Sequence, residues 1–163
     1  FKDKTGSIDH AVLGAEMAAE ILRRLGYSEE KIADVKRCIA AHRFRGKVKP
    51  KTKEAQILFD ADKLDVLGAL GVARSFMMAG QYGQKIYSAF PIKEYLKDNV
   101  VGEEAEGRIK EISKHAPNLE FELKFKQIPE RLYTHKAREI AKERLRFMEN
   151  FFKRLKAEMT GEL

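Results

Sequence analysis

Apolar residues at helical spacing recur along most of this 163-residue chain, and that pattern limits its fold more than any other feature. The clearest example lies between Thr134 and Gly161, where the spacing predicts a long amphipathic helix. Its predicted buried face consists of Ala137, Ile140, Ala141, Leu145, Met148, Phe151, Phe152, Leu155 and Met159. A helix with such a face has to bury it against other elements, so the chain should form a layered core.

Earlier segments predict further helices with recognisable ends. Ser7 and Ser28 are candidate N-caps, Thr52 is another, and Gly26 is a stop signal. With the last helix, the predicted set covers residues 7–26, 28–42, 53–79, 92–99, 103–115 and 134–161.

The segment 119–128 fits two patterns. Leu119, Phe121, Leu123 and Phe125 alternate with other residues as in a half-buried strand, whereas Phe121, Phe125, Ile128 and Leu132 fit a helix capped by Asn118. No second convincing strand is present to pair with it, and a lone strand is not stable. We therefore predict a helix here and an all-α fold in one domain spanning 1–163.

Composition places the chain among soluble globular proteins, since 44% of residues are hydrophobic and 35% are charged. No apolar run approaches the length of a membrane span, and no signal-peptide pattern is present, so we expect a cytoplasmic protein. Cys38 is the single cysteine, which excludes a disulfide within the chain. Self-association through the exposed edges of the last helix stays open.

The formal net charge of +7 suits anionic partners such as nucleotides, phosphate esters or nucleic acid. The segment 43–53 is a basic loop with six Lys or Arg residues and no acid. It allows an alternative function, a basic helical module that binds nucleic acid. However, its one aromatic residue is Phe44 and it has no recognisable reading-helix motif, so this alternative ranks lower.

Residues 57–68 carry three carboxylates, Asp60, Asp62 and Asp65, in an otherwise apolar helical pattern. Burying an ionised carboxylate is costly without a cation or a donor. If one helix covers 53–79, Asp62 and Asp65 share a face and form an acidic patch suited to a metal with oxygen ligands. A solvated acidic stripe remains the alternative interpretation.

Two of the four histidines are candidates for chemistry. His10 lies near the start of the first predicted helix and His42 at the end of the second, where both could face the carboxylate helix. Imidazole commonly joins carboxylate in transition-metal sites. His115 and His135 lie among charged residues, and we expect both on the surface.

Several segments together resemble the HD-domain metal-dependent phosphohydrolases, particularly the small single-domain bacterial and archaeal branch. The most specific is 60–76, Asp-Ala-Asp-Lys-Leu-Asp-Val-Leu-Gly-Ala-Leu-Gly-Val-Ala-Arg-Ser-Phe. The others are 9–16, 39–44, 123–125, 128–129, 132–134, 137–138 and 144–152. The resemblance covers nearly the whole chain, with 102–117 matching least.

The resemblance implies a helical HD-domain-like bundle with a divalent metal, and Asp62 matches the family's downstream metal ligand. The metal could be manganese, iron, nickel, zinc, cobalt or magnesium. The family's upstream His and its His-Asp pair are missing from this sequence, in which Asp9-His10 has the reverse order. Because the sequence begins with Phe1, we expect both to precede it and the domain to be N-terminally incomplete.

The implied activity is hydrolysis of a phosphate ester or anhydride, with a nucleotide as the expected substrate. The resemblance indicates His10, His42 and Asp65 as catalytic residues, with Asp60 and Asp65 orienting the metal ligand or its helix. The candidate phosphate-binding residues are Arg43, Arg74 and Lys124. A non-catalytic, nucleotide-sensing member of the family is the second alternative.

Overall fold

The computed structural model describes residues 10–43, 48–102 and 108–162, which are almost entirely helical. A single two-stranded antiparallel pair and two short 3₁₀ turns, Ile112–Lys114 and Phe125–Gln127, accompany the helices in these ranges. The α-helices are α1 His10–Arg24, α2 Glu29–Ala41, α3 Lys53–Leu64, α4 Gly68–Gln81, α5 Ile92–Asn99, α6 Pro117–Leu123, α7 Ile128–Arg131 and α8 His135–Thr160. The strands are β1 Val100–Val101 and β2 Arg108–Ile109. The all-α prediction is confirmed.

The chain divides into two compact units. The first is Phe1–Lys63 with Leu132–Thr134, and the second is Leu64–Arg131 with His135–Leu163. The single domain over 1–163 stays a prediction. In the described ranges, no helix is both long enough and apolar enough to cross a bilayer.

In the first unit, α1 packs on α2 through small side chains. Ala11, Ala15 and Ala19 recur every fourth residue of α1 and are buried, and Ile32 is the large buried side chain of α2. Alanines at this spacing keep the facing side of α1 narrow, so the two helices can approach closely. This packing fixes the start of α1 relative to the end of α2.

In the second unit, α8 is the central helix and packs against α4 and α7. Met148 and Phe152 of α8 are buried, and the Phe152 ring stacks on Phe121 at a centroid distance of 4.8 Å. A separate small core is formed by Tyr95, Ala116 and Leu119. Aromatic pairs at such distances add stability beyond the area that they bury.

Several helix predictions are confirmed. The Oγ of Ser28 accepts from Lys31 N at the start of α2, the Oγ1 of Thr52 accepts from Ala55 N, and α5 spans Ile92–Asn99 as predicted. The ambiguous segment 119–128 is helical. Its N-cap is Ala116 rather than Asn118, whose side chain instead exchanges two hydrogen bonds with the backbone of Ser88. Ser7 lies outside the described residues.

The single long helix over 53–79 is wrong. The helix is interrupted between Leu64 and Gly68, and Gly68, the first residue of α4, has a positive φ of 74°. The guanidinium of Arg144 donates to the Leu64 carbonyl oxygen at 2.6 Å and so satisfies one of the free carbonyl groups at the end of α3. The break therefore depends on a residue far along the chain.

The predicted helix over 103–115 is also wrong where the structure describes it. Val100 pairs with Ile109 and Val101 with Arg108, and a 3₁₀ turn follows at Ile112–Lys114. Residues 103–107 of this prediction lie outside the described ranges. At the far end of α8, Met159 is 55% exposed, so the predicted buried face ends earlier than its apolar pattern.

Candidate functional site

Three helix ends in the first unit carry the predicted chemical groups. His10 is the first residue of α1, His42 follows the last residue of α2, and Asp62 lies two residues before the end of α3. The rings of His10 and His42 meet edge to face with their centroids 5.6 Å apart. The structure therefore brings together both candidate histidines.

His42 has a defined ring orientation. Its Nδ1 lies 2.5 Å from the carbonyl oxygen of Ile39. Since a carbonyl oxygen can only accept, Nδ1 carries the hydrogen, and the neutral ring keeps its lone pair on Nε2. That nitrogen can accept a proton or bind a metal ion.

Lys63 connects the end of α3 to the end of α2. Its side chain is buried, and its Nζ donates to the His42 carbonyl oxygen at 3.0 Å while pairing with the Asp62 carboxylate. The ammonium also lies 5.0 Å from the centroid of the Phe59 ring. Through these contacts Lys63 holds the Asp62 carboxylate beside the backbone of His42.

Sequence reasoning missed Lys63, although a signal was present. Ala55, Phe59 and Lys63 are spaced by four residues and are all buried, so Lys63 continues an apolar stripe of α3. A lysine in such a stripe has to find acceptors, because an unpaired buried charge is costly. The Asp62 and His42 oxygens are those acceptors.

Asp60 has a structural role. It is 2% exposed, and its two carboxylate oxygens accept from the backbone N–H groups of Tyr133 and Thr134 at 2.9 and 2.8 Å. These bonds hold the segment Leu132–Thr134 in the first unit, where the Tyr133 ring packs edge to face on Phe59 at 5.4 Å. Asp60 thus orients α3 through the backbone.

The structure also shows the surroundings of the candidate catalytic residue Asp65 and of the three candidate phosphate-binding residues. Asp65 lies beyond the end of α3 and is exposed, so the predicted helix face shared with Asp62 is wrong. Arg74 is exposed on α4, and Lys124 pairs with the carboxylate of Glu120 at 2.9 Å. These three candidates belong to the second unit. Arg43 follows His42 in the first unit and is partly buried.

The surface assignment of His115 is wrong. His115 is 4% exposed, with Nδ1 2.6 Å from the Tyr95 hydroxyl and Nε2 3.1 Å from the Glu120 carboxylate. Burial acts to raise the pKa of the Glu120 carboxyl, but His115 and Lys124 outweigh it and lower that pKa to about 2. Burial, in turn, raises the pKa of Tyr95.

His135 is exposed, as predicted, with 86% of its side chain accessible. The two histidines have similar charged neighbours in the sequence. What separates them is the small core around Tyr95, which encloses His115 in the folded second unit. Local composition contains no signal for that enclosure.

The described residues do not by themselves form a metal centre. Within 10–43, 48–102 and 108–162, no three His, Cys, Asp or Glu side chains converge as a group that could hold a metal ion. The Asp62 carboxylate is paired with Lys63, and both Asp60 oxygens are used by backbone donors. A tightly bound transition metal needs several ligands in fixed geometry, so this donor set alone does not fit one.

The chain is similar to one known family of domains and to one curated protein. The HD domain model matches residues 1–67, which include all three helix ends of the site. The chain is 33% identical over 121 residues to the Bacillus subtilis protein YpgQ, an alignment that covers 73% of this chain and 47% of YpgQ. The chain thus spans about half the length of this curated relative.

Solved structures share the fold. The crystal structure of B. subtilis YpgQ has a TM-score of 0.66 and 25% identity, with 90% of this chain and 64% of that one covered. The crystal structure of YpgQ in complex with ADP has a TM-score of 0.67 and 24% identity, with 98% of this chain and 69% of that one covered. The crystal structure of an HD-superfamily hydrolase from Bacillus thuringiensis has a TM-score of 0.65 and 23% identity, with 96% of this chain and 67% of that one covered.

Proposed function

We propose that this chain, which belongs to the HD-domain family, is a metal-dependent phosphohydrolase acting on a nucleotide or a related phosphate ester or anhydride. The observation that carries the proposal is a pair of contacts inside the family-matched segment: the His10 ring packs on the His42 ring, and Lys63, which pairs with Asp62, donates to the His42 carbonyl oxygen. An HD-superfamily hydrolase among the structures of similar fold supports hydrolysis, and the ADP complex of YpgQ supports a nucleotide.

The residues of this chain would act on the substrate phosphate. The Nε2 of His42 would exchange a proton with the phosphate or the leaving group, and His10, packed against that ring, would contact the same phosphate. Lys63 would keep the carboxylate of Asp62 in place while balancing its charge. Asp65 as a catalytic residue, and Arg43 and Arg74 as phosphate ligands, stay predictions.

Lys124 also stays a predicted phosphate ligand, with one requirement. Its ammonium pairs with Glu120, whose second oxygen binds His115. To bind phosphate, Lys124 would exchange that carboxylate for the substrate.

The described residues do not supply enough ligands for the proposed metal ion. Asp62 would supply one ligand, and the others would come from outside the described residues. A bound divalent ion would polarise a phosphoryl oxygen and lower the pKa of its bound water. A location in the cytoplasm and self-association also stay predictions.

The test compares Asp62→Asn with a control, Asp98→Asn, in the full-length polypeptide. Asp98 is an exposed carboxylate of α5 in the second unit. Phosphate release from a panel of nucleotides with added manganese, iron, nickel, zinc, cobalt or magnesium should fall by about a hundredfold or more in Asp62→Asn. The Asp98→Asn variant should match the wild type.

Metal content after desalting gives an independent readout, since Asp62→Asn should also retain less ion than the wild type. Unchanged phosphate release and unchanged metal content in Asp62→Asn would remove the assignment. A wild-type protein that binds nucleotide but hydrolyses none with every metal would instead be the non-catalytic, nucleotide-sensing alternative.

A further inference from the structure

A chain of hydrogen-bonded polar side chains lies in the second unit, beside the small core around Tyr95. Tyr95, Asn99 and His115 are buried, and Glu120 is partly buried. The bond from Asn99 to Tyr95 is 3.1 Å long, that between Tyr95 and His115 2.6 Å, and that between His115 and Glu120 3.1 Å. Since buried polar groups need partners, the direction of each bond can be worked out.

The Asn99 amide sets the direction of this chain. Its Oδ1 accepts from Glu111 N and its Nδ2 donates to Glu111 O, both at 2.9 Å. A reversed amide would place donor against donor and acceptor against acceptor, so this orientation is fixed. The second hydrogen of Nδ2 therefore points at the Tyr95 hydroxyl oxygen, which accepts it.

The Tyr95 hydroxyl in turn donates to Nδ1 of His115. Asn99 and His115 are its two hydrogen-bond partners among the described residues, and Asn99 is a donor, so the hydroxyl hydrogen has to go to His115. The other ring nitrogen, Nε2, donates to the Glu120 carboxylate, which only accepts while it is ionised. His115 is therefore neutral, with its single ring hydrogen on Nε2.

The charges around His115 favour the neutral ring. Glu120 pairs through its other oxygen with the Lys124 ammonium at 2.9 Å, so its charge is balanced without an imidazolium. Burial of His115 also disfavours a charged ring. The other charged side chains that the structure describes on α5, on the segment 109–114 and on α6 are exposed: Lys93, Glu94, Lys97, Asp98, Lys110, Glu111, Lys114 and Glu122.

We propose that this chain of four side chains is a pH-sensitive latch, in which a second hydrogen on the His115 ring releases Tyr95 and loosens the hold of Asn99 on Glu111. A hydrogen on Nδ1 would face the Tyr95 oxygen, and the buried hydroxyl hydrogen would lose its acceptor. The latch needs no assumption about the proposed function.

Histidine is the side chain that ordinarily changes charge between pH 5 and 8. The other two titratable groups of the latch keep their charge in this range. The pKa of Glu120, raised by burial but lowered further by His115 and Lys124, is about 2, and burial raises the pKa of Tyr95. His115 is therefore the member of the latch that responds to mild acid.

The first measurement locates the ring hydrogens of His115 from the nitrogen chemical shifts of its imidazole, in the full-length protein at about pH 8. Nε2 should carry the hydrogen, and Nδ1 should have the shift of a nitrogen with a lone pair. An imidazolium, or a neutral ring with its hydrogen on Nδ1, would overturn the latch.

Amide hydrogen exchange of Glu111 reports opening, because its N–H donates to Asn99. Its protection factor, which is corrected for the intrinsic effect of pH on exchange, should fall about tenfold between about pH 8 and about pH 5.5. His115→Gln keeps a donor for Glu120 but cannot gain a hydrogen, so its protection should stay constant within about twofold over this range. The control is His135→Gln, which removes an exposed histidine of the same unit and should keep the wild-type pH dependence.

Tyr95→Phe tests the link between His115 and Asn99. It removes the donor to Nδ1 and the acceptor for Asn99, so Glu111 should already be about tenfold less protected at about pH 8. Wild-type protection that does not depend on pH would overturn the latch, as would a pH dependence that survives in His115→Gln or is lost in His135→Gln. If Tyr95→Phe does not fold, the ring hydrogens of the wild type and the exchange of His115→Gln still decide.

Discussion

Two aspartates that stand two positions apart in α3 have opposite surroundings. Asp60 is enclosed and accepts two backbone hydrogen bonds from Tyr133 and Thr134, whereas 48% of the Asp62 side chain is accessible next to Lys63. In the sequence the two differ only by register within one apolar run. What separates them is the segment Leu132–Thr134, which supplies donors from 73 residues away. No local pattern could have predicted which aspartate had the structural role.

Removal of Asp60 should therefore destabilise the protein. Asp60→Ala leaves two backbone N–H groups without their acceptor, and the free energy of unfolding should fall by about 2–4 kcal/mol. Asp60→Asn keeps one acceptor oxygen and should cost less. Urea unfolding followed by circular dichroism measures both, with Glu54→Ala, an exposed acid of the same helix, as the control. Equal stability of Asp60→Ala and Glu54→Ala would contradict the role assigned to Asp60.

Glu120 should make stability depend on pH in the acid range. Its pKa is lowered from 4.5 to about 2 in the folded protein, so its stabilising contribution is complete above pH 4.5 and is lost as pH falls towards 2. That contribution is of the order of 3 kcal/mol at neutral pH. Glu120→Gln should lower the free energy of unfolding at pH 7 and flatten its decline between pH 4.5 and 2.

The matched variant is Glu122→Gln, which removes an exposed carboxylate of α6 that pairs with Lys126 of the following 3₁₀ turn. It should keep the wild-type pH profile, since exposed pairs contribute little. Unfolding by denaturant at a series of pH values distinguishes the variants. Parallel profiles for Glu120→Gln and the wild type would refute the assigned pKa.

The break between α3 and α4 shows where helix prediction fails at the scale of whole elements. The apolar pattern continues through Leu64, Val66 and Leu67, so periodicity alone joins the two helices. The end of α3 is completed by Arg144, eighty residues away, and the aliphatic part of the same side chain lies against Gly68. Predictions succeed for α2 and α5, whose periodicity and terminal residues agree locally, and fail where an end is completed by a distant partner.

The hairpin after α5 illustrates the same limit. Asn99 is buried, and its side chain accepts from Glu111 N and donates to Glu111 O, both at 2.9 Å. These bonds replace the contacts that a helix over 108–115 would have made within itself. Two-residue strands are also too short to show the alternation by which strands are recognised.

Gly71 offers a test of the turn between α3 and α4. A Cβ at Gly71 would lie 2.2 Å from the carbonyl oxygen of Val66, a backbone atom that cannot rotate away. Gly71→Ala should therefore lower the free energy of unfolding by about 1–3 kcal/mol, as overpacking typically does. Gly80→Ala, in the same helix, meets nothing within 4 Å and should be neutral or stabilising by up to about 1 kcal/mol. Thermal unfolding of both variants measures these changes in stability. A Gly71→Ala variant more stable than the wild type would contradict the close approach of Gly71 to the Val66 carbonyl oxygen.

At the scale of the whole molecule, the all-α class and the family follow from the sequence, whereas the site needed the structure. His10 and His42 were identifiable from their positions at predicted helix ends, and Asp62 from the acidic run 57–68 and the family resemblance. The buried ammonium of Lys63, which joins Asp62 to the backbone of His42, became evident only when α2 and α3 were seen together. The metal ligands beyond Asp62 are the part of the candidate site that the described residues do not supply.

The net charge of +7 is a property of all 163 residues together and predicts a salt dependence of the proposed reaction. A positive protein attracts a polyphosphate over roughly a Debye length, which is about 10 Å at 0.1 M salt and shortens as salt increases. The value of kcat/KM for a nucleoside triphosphate should therefore fall severalfold between about 20 mM and about 200 mM potassium chloride. Initial rates at low substrate concentration measure this, and urea unfolding at both salt concentrations checks that the protein stays equally folded. Rates that are constant or rise with salt would mean that the surplus positive charge does not act on the substrate.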